Sequence, residues 1–132
     1  MDHVRESLLA TTLVVLVSLM VGCGQSSVRL GWVETSLPGH LKATYEEFTG
    51  TETSTVSVQS GKTLYLEYDA EVSSGGLHLE IDDPYGETIW CVFLCENCGE
   101  TKALPLSKAG CYTISVRGEA AEGGFDVKWE QR

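Results

Sequence analysis

The chain has 132 residues, of which 42% are hydrophobic, and its 9 basic against 19 acidic side chains give a net charge of −10 at pH 7. That length holds one ordinary domain with a single core. The acidity repels phosphate backbones, so nucleic acid is excluded as a partner, while solubility and weak cation association are favoured.

The first 23 residues carry an address. Asp2, Arg5 and Glu6 precede an apolar run from Leu8 to Val21, which closes on Leu19-Met20-Val21-Gly22-Cys23. A charged leader, an apolar segment and a small residue before a cut are the parts of a secretory signal. At about 1.5 Å per residue the run reaches about 21 Å, short of the roughly 30 Å hydrocarbon core that a spanning helix must cross. The closing motif resembles the lipobox of bacterial lipoproteins, with Met20 where such signals usually carry Leu. The resemblance implies a diacylglyceryl group on Cys23, cleavage after Gly22, and an extracytoplasmic domain anchored by lipid to the cell membrane or outer membrane. The expected organisation is a signal peptide over 1–22, a lipidated cysteine with tether and strap over 23–42, and a folded domain over 43–132. Without residues 1–22 the chain keeps eight basic and seventeen acidic side chains, a net −9.

Gly24 to Ser27 is a small polar tether, and Val28 to Lys42 has no sustained period, which predicts an irregular strap. From Tyr45 onward apolar and polar residues alternate in short runs, the mark of half-buried strands. Strands are predicted near 42–49, through Val56 and Val58, through Leu64, Leu66 and Tyr68, through Leu77, Leu79 and Ile81, over 88–94, near 102–106, through Tyr112, Ile114 and Val116, and through Phe125, Val127 and Trp129. Ser60-Gly61, Gly75-Gly76, Asp83-Pro84-Tyr85-Gly86, Ala109-Gly110 and Gly123-Gly124 read as the turns between them. About eight strands and no helix predict an all-β, antiparallel β-sandwich.

Val58-Gln-Ser-Gly61-Lys-Thr-Leu64, Gly76-Leu-His-Leu79, Asp83-Pro-Tyr-Gly86, Ala109-Gly-Cys-Tyr-Thr-Ile-Ser-Val116 and Gly124-Phe-Asp-Val127 resemble the bacterial pre-peptidase C-terminal type of jelly-roll domain. Tyr45-Glu-Glu-Phe48-Thr-Gly50-Thr-Glu52 is similar to a segment of small bacterial lipoproteins with a β-sandwich domain. These resemblances imply a jelly-roll-like sandwich over about 43–130 that serves as an accessory binding or spacer module, in some relatives binding calcium.

Cys91, Cys95, Cys98 and Cys111 lie outside that pattern. An exported location favours two disulfides, and four cysteines allow three pairings. Closure of Cys95 on Cys98 would leave Cys91 with Cys111. The alternative is a structural zinc held by all four thiolates. The spacing Cys91-x3-Cys95-x2-Cys98 matches iron–sulfur cluster motifs, but a short β-rich exported chain is the wrong setting for one. A redox role for Cys95-Glu-Asn-Cys98 lacks the helix N-terminus that activates such a pair.

Catalysis has few candidates. His40 and His78 are the histidines after the signal, and neither a nucleophile elbow nor a zinc-protease helix is present. His78 shares a strand face with Glu80 and Asp82, and a Cys111–His78 couple has only its residue types in favour. The run 88–94 is apolar on both faces, with Ile89, Cys91 and Phe93 on one and Trp90, Val92 and Leu94 on the other. One face therefore needs cover, either from Val28, Leu30 and Trp32 of the strap or from a partner held at Trp32, Ile89, Trp90 and Phe93. The functional expectation is a lipid-anchored, non-catalytic binding or interaction module with a protein or saccharide partner. A structural surface protein and a calcium- or carbohydrate-binding accessory module are the alternatives.

Overall fold

A computed structural model describes residues 27–132; the lipidation motif, Cys23 included, lies outside the described residues. Seven strands, all paired antiparallel, form the domain, and no helix occurs among the described residues. They are β1 (Val28–Leu30), β2 (Val33–Leu37), β3 (His40–Val58), β4 (Thr63–Asp82), β5 (Thr88–Leu94), β6 (Cys98–Pro105) and β7 (Gly110–Gln131).

Three strands are long enough to serve two layers. β3, β4 and β7 have 19, 20 and 22 residues, and their shared ladders lose register over short stretches, near Tyr45–Gly50, Val72–Gly76 and Gly118–Gly123. On one side of these breaks the order is β2-β3-β7-β4-β6, and on the other β1-β3-β7-β4-β5. The result is an antiparallel, jelly-roll-like β-sandwich whose layers are two arms of one sheet folded over along the breaks. A bulge inserts extra residues and flips the alternation, so the buried positions of β4 change from Leu64, Leu66, Tyr68, Ala70 and Val72 to Leu77, Leu79 and Ile81. β7 changes likewise, from Tyr112, Ile114 and Val116 to Phe125, Val127 and Trp129. Both sets join one continuous core. Each fully buried Leu or Ile in it contributes roughly 1.5–3 kcal/mol.

The fold line requires glycine. At Gly123, with φ of +132°, a Cβ would stand 1.9 Å from the Glu71 carbonyl oxygen, and at Gly75, with φ of +69°, 2.2 Å from that of Ala120. Gly75-Gly76 and Gly123-Gly124 are therefore corners inside strands and not the turns that the sequence suggests. This corrects the strand count: three pairs of expected strands merge into β3, β4 and β7. The strap is also corrected, since Val28–Leu37 supplies two edge strands. β2 is exposed at all five positions, so it carries no apolar period to be read.

β5 buries Leu94 and turns Trp90 and Val92 toward the core, while Ile89, Cys91 and Phe93 face outward. The strap does not cover that outer face. β1 pairs only with β3, and β1 and β5 close opposite ends of their layer. Trp32 instead lies on Tyr45, Phe48 and Phe125, with centroids 5.6, 4.9 and 6.3 Å away. Arg29 caps it from 4.7 Å and ion-pairs with Glu52.

Candidate functional site

The expected interaction patch is not assembled. Trp32 sits at the β1–β3 side, Trp90 points inward against Tyr68, and of the four only Ile89 and Phe93 share the outer face of β5, 39% and 50% exposed.

The cysteines do not converge either. Cys91 pairs with Glu80, which pairs with Ser115, and Cys111 lies four residues further along β7. Two strand spacings and four residues separate them by about 16 Å, beyond the roughly 7 Å that a disulfide spans. A Cys91–Cys111 bridge and a four-thiolate zinc site are thereby corrected. All four thiols are free, Cys95 and Cys98 included. Among the described residues no group of three His, Cys, Asp or Glu side chains converges on a cation position. Calcium finds no ligand set at the Asp83 turn, because the Asp83 carboxylate already accepts from the amides of Tyr85 at 2.8 Å and Glu87 at 2.9 Å and faces Lys108.

The histidines are paired with carboxylates. His40 Nε2 lies 2.6 Å from Asp126 and His78 Nε2 3.1 Å from Glu119. His78 sits across from Arg117, six residues from Cys111 along β7, so that couple is about 20 Å apart. Neither histidine is arranged as a base toward a hydroxyl or thiol.

A groove lies on the outer face of the β2-β3-β7-β4-β6 layer. Strand alternation sends Tyr65 and Glu67 of β4, Lys128 and Glu130 of β7, and Thr101 and Ala103 of β6 outward. The register sets them in rows: Glu130, Tyr65 and Ala103 in one, His40, Lys128, Glu67 and Thr101 in the next. Tyr65, Glu67, Thr101, Ala103, Lys128 and Glu130 line a shallow groove of about 560 Å³ together with Arg132. Tyr65 is 38% exposed in its floor, and the Arg132 guanidinium lies 4.5 Å from its ring centroid. Arg132 is fixed from two directions: its backbone exchanges two 3.0 Å hydrogen bonds with Thr63, and its guanidinium ion-pairs with Glu130. A smaller hollow of about 200 Å³ continues the face past Lys42, Asp69, Glu71 and Asp126. An aromatic ring with a hydroxyl, two carboxylates and the two cations Lys128 and Arg132 around it is a surface that recognises polar ligands with an apolar face.

Sequence reasoning missed this groove. Its one signal was Tyr65, an aromatic residue in the solvent-facing slot between Leu64 and Leu66.

Two phenols are perturbed. Burial pushes Tyr45 well above the ordinary value of 10, and its hydroxyl finds no partner among the described residues. Tyr68 is pushed up to about 12, first by burial and then by its 3.0 Å hydrogen bond to Glu100.

No family model matches the chain, and no curated protein matches it. Among solved structures it is similar to one titled "CBM4 structure and function", at 11% identity over 78% of this chain and 79% of that one, with a TM-score of 0.49. It is also similar to the C-terminal CBM6 of LamC from Zobellia galactanivorans, at 14% identity over 83% of this chain and 92% of that one, TM-score 0.47. A third is PliG of Aeromonas hydrophila, a periplasmic inhibitor of g-type lysozyme, at 20% identity over 76% and 89%, TM-score 0.43. Likeness at this level carries nothing about ligand or partner, and the fold rests on the strands described above.

Proposed function

We propose that this chain is a lipid-anchored, extracytoplasmic and non-catalytic module that binds saccharide on the outer face of its β2-β3-β7-β4-β6 layer. The observation that carries the reading is the Tyr65 groove. A sugar ring has an apolar face, which Tyr65 meets, and hydroxyls at its rim, which Glu67, Glu130, Thr101 and Lys128 meet. Pre-fixing Arg132 lowers the ordering cost of binding. The second hollow, past Lys42, Asp69, Glu71 and Asp126, continues the same face, which suits a chain of sugar units.

Anchoring rests on the Leu19–Cys23 motif. Five Cα-to-Cα steps, from Cys23 to Val28, separate the acylated cysteine from the start of β1. At about 3.4 Å each they reach about 17 Å, so the domain works close to the bilayer. Mass spectrometry of the full chain tests this: acylation is expected at Cys23 and lost in Cys23→Ser.

The binding test is titration of the full chain with neutral and uronate oligosaccharides of four to six units. Tyr65→Ala is expected to weaken binding at least tenfold without unfolding the chain, because Tyr65 is an outward residue. Equal binding by wild type and Tyr65→Ala, or none by either, overturns the saccharide reading.

A further inference from the structure

We infer that two copies of this chain pair through β5, antiparallel and in register about Cys91. The inference goes beyond the saccharide reading and does not depend on it.

An exposed strand edge is a template for pairing, and proteins guard such edges with charge or proline. β1 carries Arg29, β2 carries Glu34, and β6 carries Glu100, Lys102 and Pro105. β5, Thr-Ile-Trp-Cys-Val-Phe-Leu, carries neither charge nor proline, pairs only with β4, and breaks register with it at one point, Ile89, between the Trp90 and Thr88 pairs. Three edge strands expose large hydrophobics, β1 through Leu30, β2 through Val33 and Leu37, and β5 through Ile89 and Phe93, and of these β5 alone has no charged side chain.

The strand fits a second copy of itself. It has seven residues with Cys91 at the centre. Antiparallel pairing about that centre sets Ile89 against Phe93 of the other copy twice, on the outer face, with Cys91 against Cys91 between them. Trp90 meets Val92 on the inner face. Each exposed hydrophobic of β5 is then covered by one of the other kind, and cross-strand aliphatic–aromatic pairs are favourable.

Charge permits the approach there. Two acidic copies repel, yet β5 is neutral. The acidic groups of β4 and β7 beside it are engaged within the same copy: Glu80 lies 4.0 Å from Arg117, Glu119 3.1 Å from His78, and Asp82 accepts from the Thr88 hydroxyl at 2.8 Å. The area also sets the strength. A seven-residue edge buries less than the roughly 1,200 Å² of a stable interface, so pairing is weak between dilute copies and strong where copies are held close together.

Directly opposed residues of an antiparallel pair have Cα atoms about 4.5–5.5 Å apart, within disulfide reach, so Cys91 reports the register. Cells producing the full chain are treated with diamide, which is reduced to its hydrazine as two thiols become a disulfide, and dimers are counted on non-reducing gels. A variant keeping Cys91 with Cys95, Cys98 and Cys111 changed to Ser is expected to cross-link at least tenfold more than Cys91→Ser with the other three retained. Phe93→Lys, at an exposed position, is expected to abolish the Cys91 cross-link. In a background with Cys91, Cys95, Cys98 and Cys111 changed to Ser, Ile89→Cys co-produced with Phe93→Cys is expected to give the mixed dimer in preference to either homodimer. Monomers throughout, equal cross-linking through Cys111, capture of a different protein by Cys91, or no preference for the 89–93 pair each overturn the inference.

Discussion

Tyr68 and Trp90 meet across the sandwich, ring centroids 5.7 Å apart, although one stands on the first arm of β4 and the other on β5 of the opposite layer. Their contact closes the side of the core between β5 and β6, as Trp32 closes the side between β1 and β2. Trp90→Ala removes the larger half of that closure. Removing a packed Trp costs about 3–5 kcal/mol when fully buried, and Trp90 is partly buried, so about 2–3 kcal/mol is expected from denaturant midpoints. A loss under about 0.5 kcal/mol would mean that the layers are not held there.

The same residue gives an alkaline signature. Tyr68 and Tyr45 hold their protons more tightly in the folded chain than the ordinary value of 10, Tyr68 to about 12. Raised acids stabilise fully below the unfolded value and lose that contribution as pH rises toward the folded one. Stability is therefore expected to fall between pH 10 and about 12, and Tyr68→Phe together with Tyr45→Phe to flatten the fall. An unchanged slope in the double variant would remove these phenols as its cause.

How much of this was legible follows from which residues speak. Leu64, Leu66, Ile114 and Val127 announced the core, because alternation on a one-sided sheet is set by burial itself. Gly75 and Gly123 misled, since a glycine that ends a strand and one that folds a strand over leave the same mark in sequence; only the partner at 1.9 Å, Glu71, tells them apart. β2 was silent because no position in it is buried. The groove was hidden for another reason: Tyr65, Glu67, Lys128 and Thr101 come from three strands, and register, which no local pattern shows, brings them together.

The corner itself can be tested in both directions. Ala120 holds φ of +46°, where an L side chain costs roughly 1–2 kcal/mol. Glycine relieves that strain and loses about 0.5–1 kcal/mol of unfolded-state entropy, so Ala120→Gly is expected to stabilise by roughly 0.5–1 kcal/mol. Gly123→Ala drives a methyl into the Glu71 carbonyl, and a loss of roughly 2–4 kcal/mol is expected. Thermal melts of the two variants moving the same way would contradict the corner.

At the far end of β4 the turn Asp83–Gly86 is held by one carboxylate, and its charge makes acid the agent that loosens it. Asp83 is buried, 5% exposed, accepting from the Tyr85 and Glu87 amides while Lys108 Nζ stands 3.5 Å away, and Tyr112 donates to the Lys108 carbonyl at 2.8 Å. The Glu87 amide above all, then the Tyr85 amide and Lys108, hold the carboxyl below its ordinary 3.8 against the opposing effect of burial. A lowered acid stabilises above its unfolded value and loses that contribution as pH falls through the folded one. The wild-type midpoint is therefore expected to drop as pH falls below about 4. Asp83→Asn keeps an oxygen for both amides but has no charge to lose, so its acid limb is expected to be shallower. Asp83→Ala leaves both amides without that acceptor and is expected to lie below Asp83→Asn at every pH. Midpoints measured from about pH 7 to about pH 3 decide between these outcomes: an acid limb in Asp83→Asn as steep as in wild type would place the acid-sensitive group elsewhere.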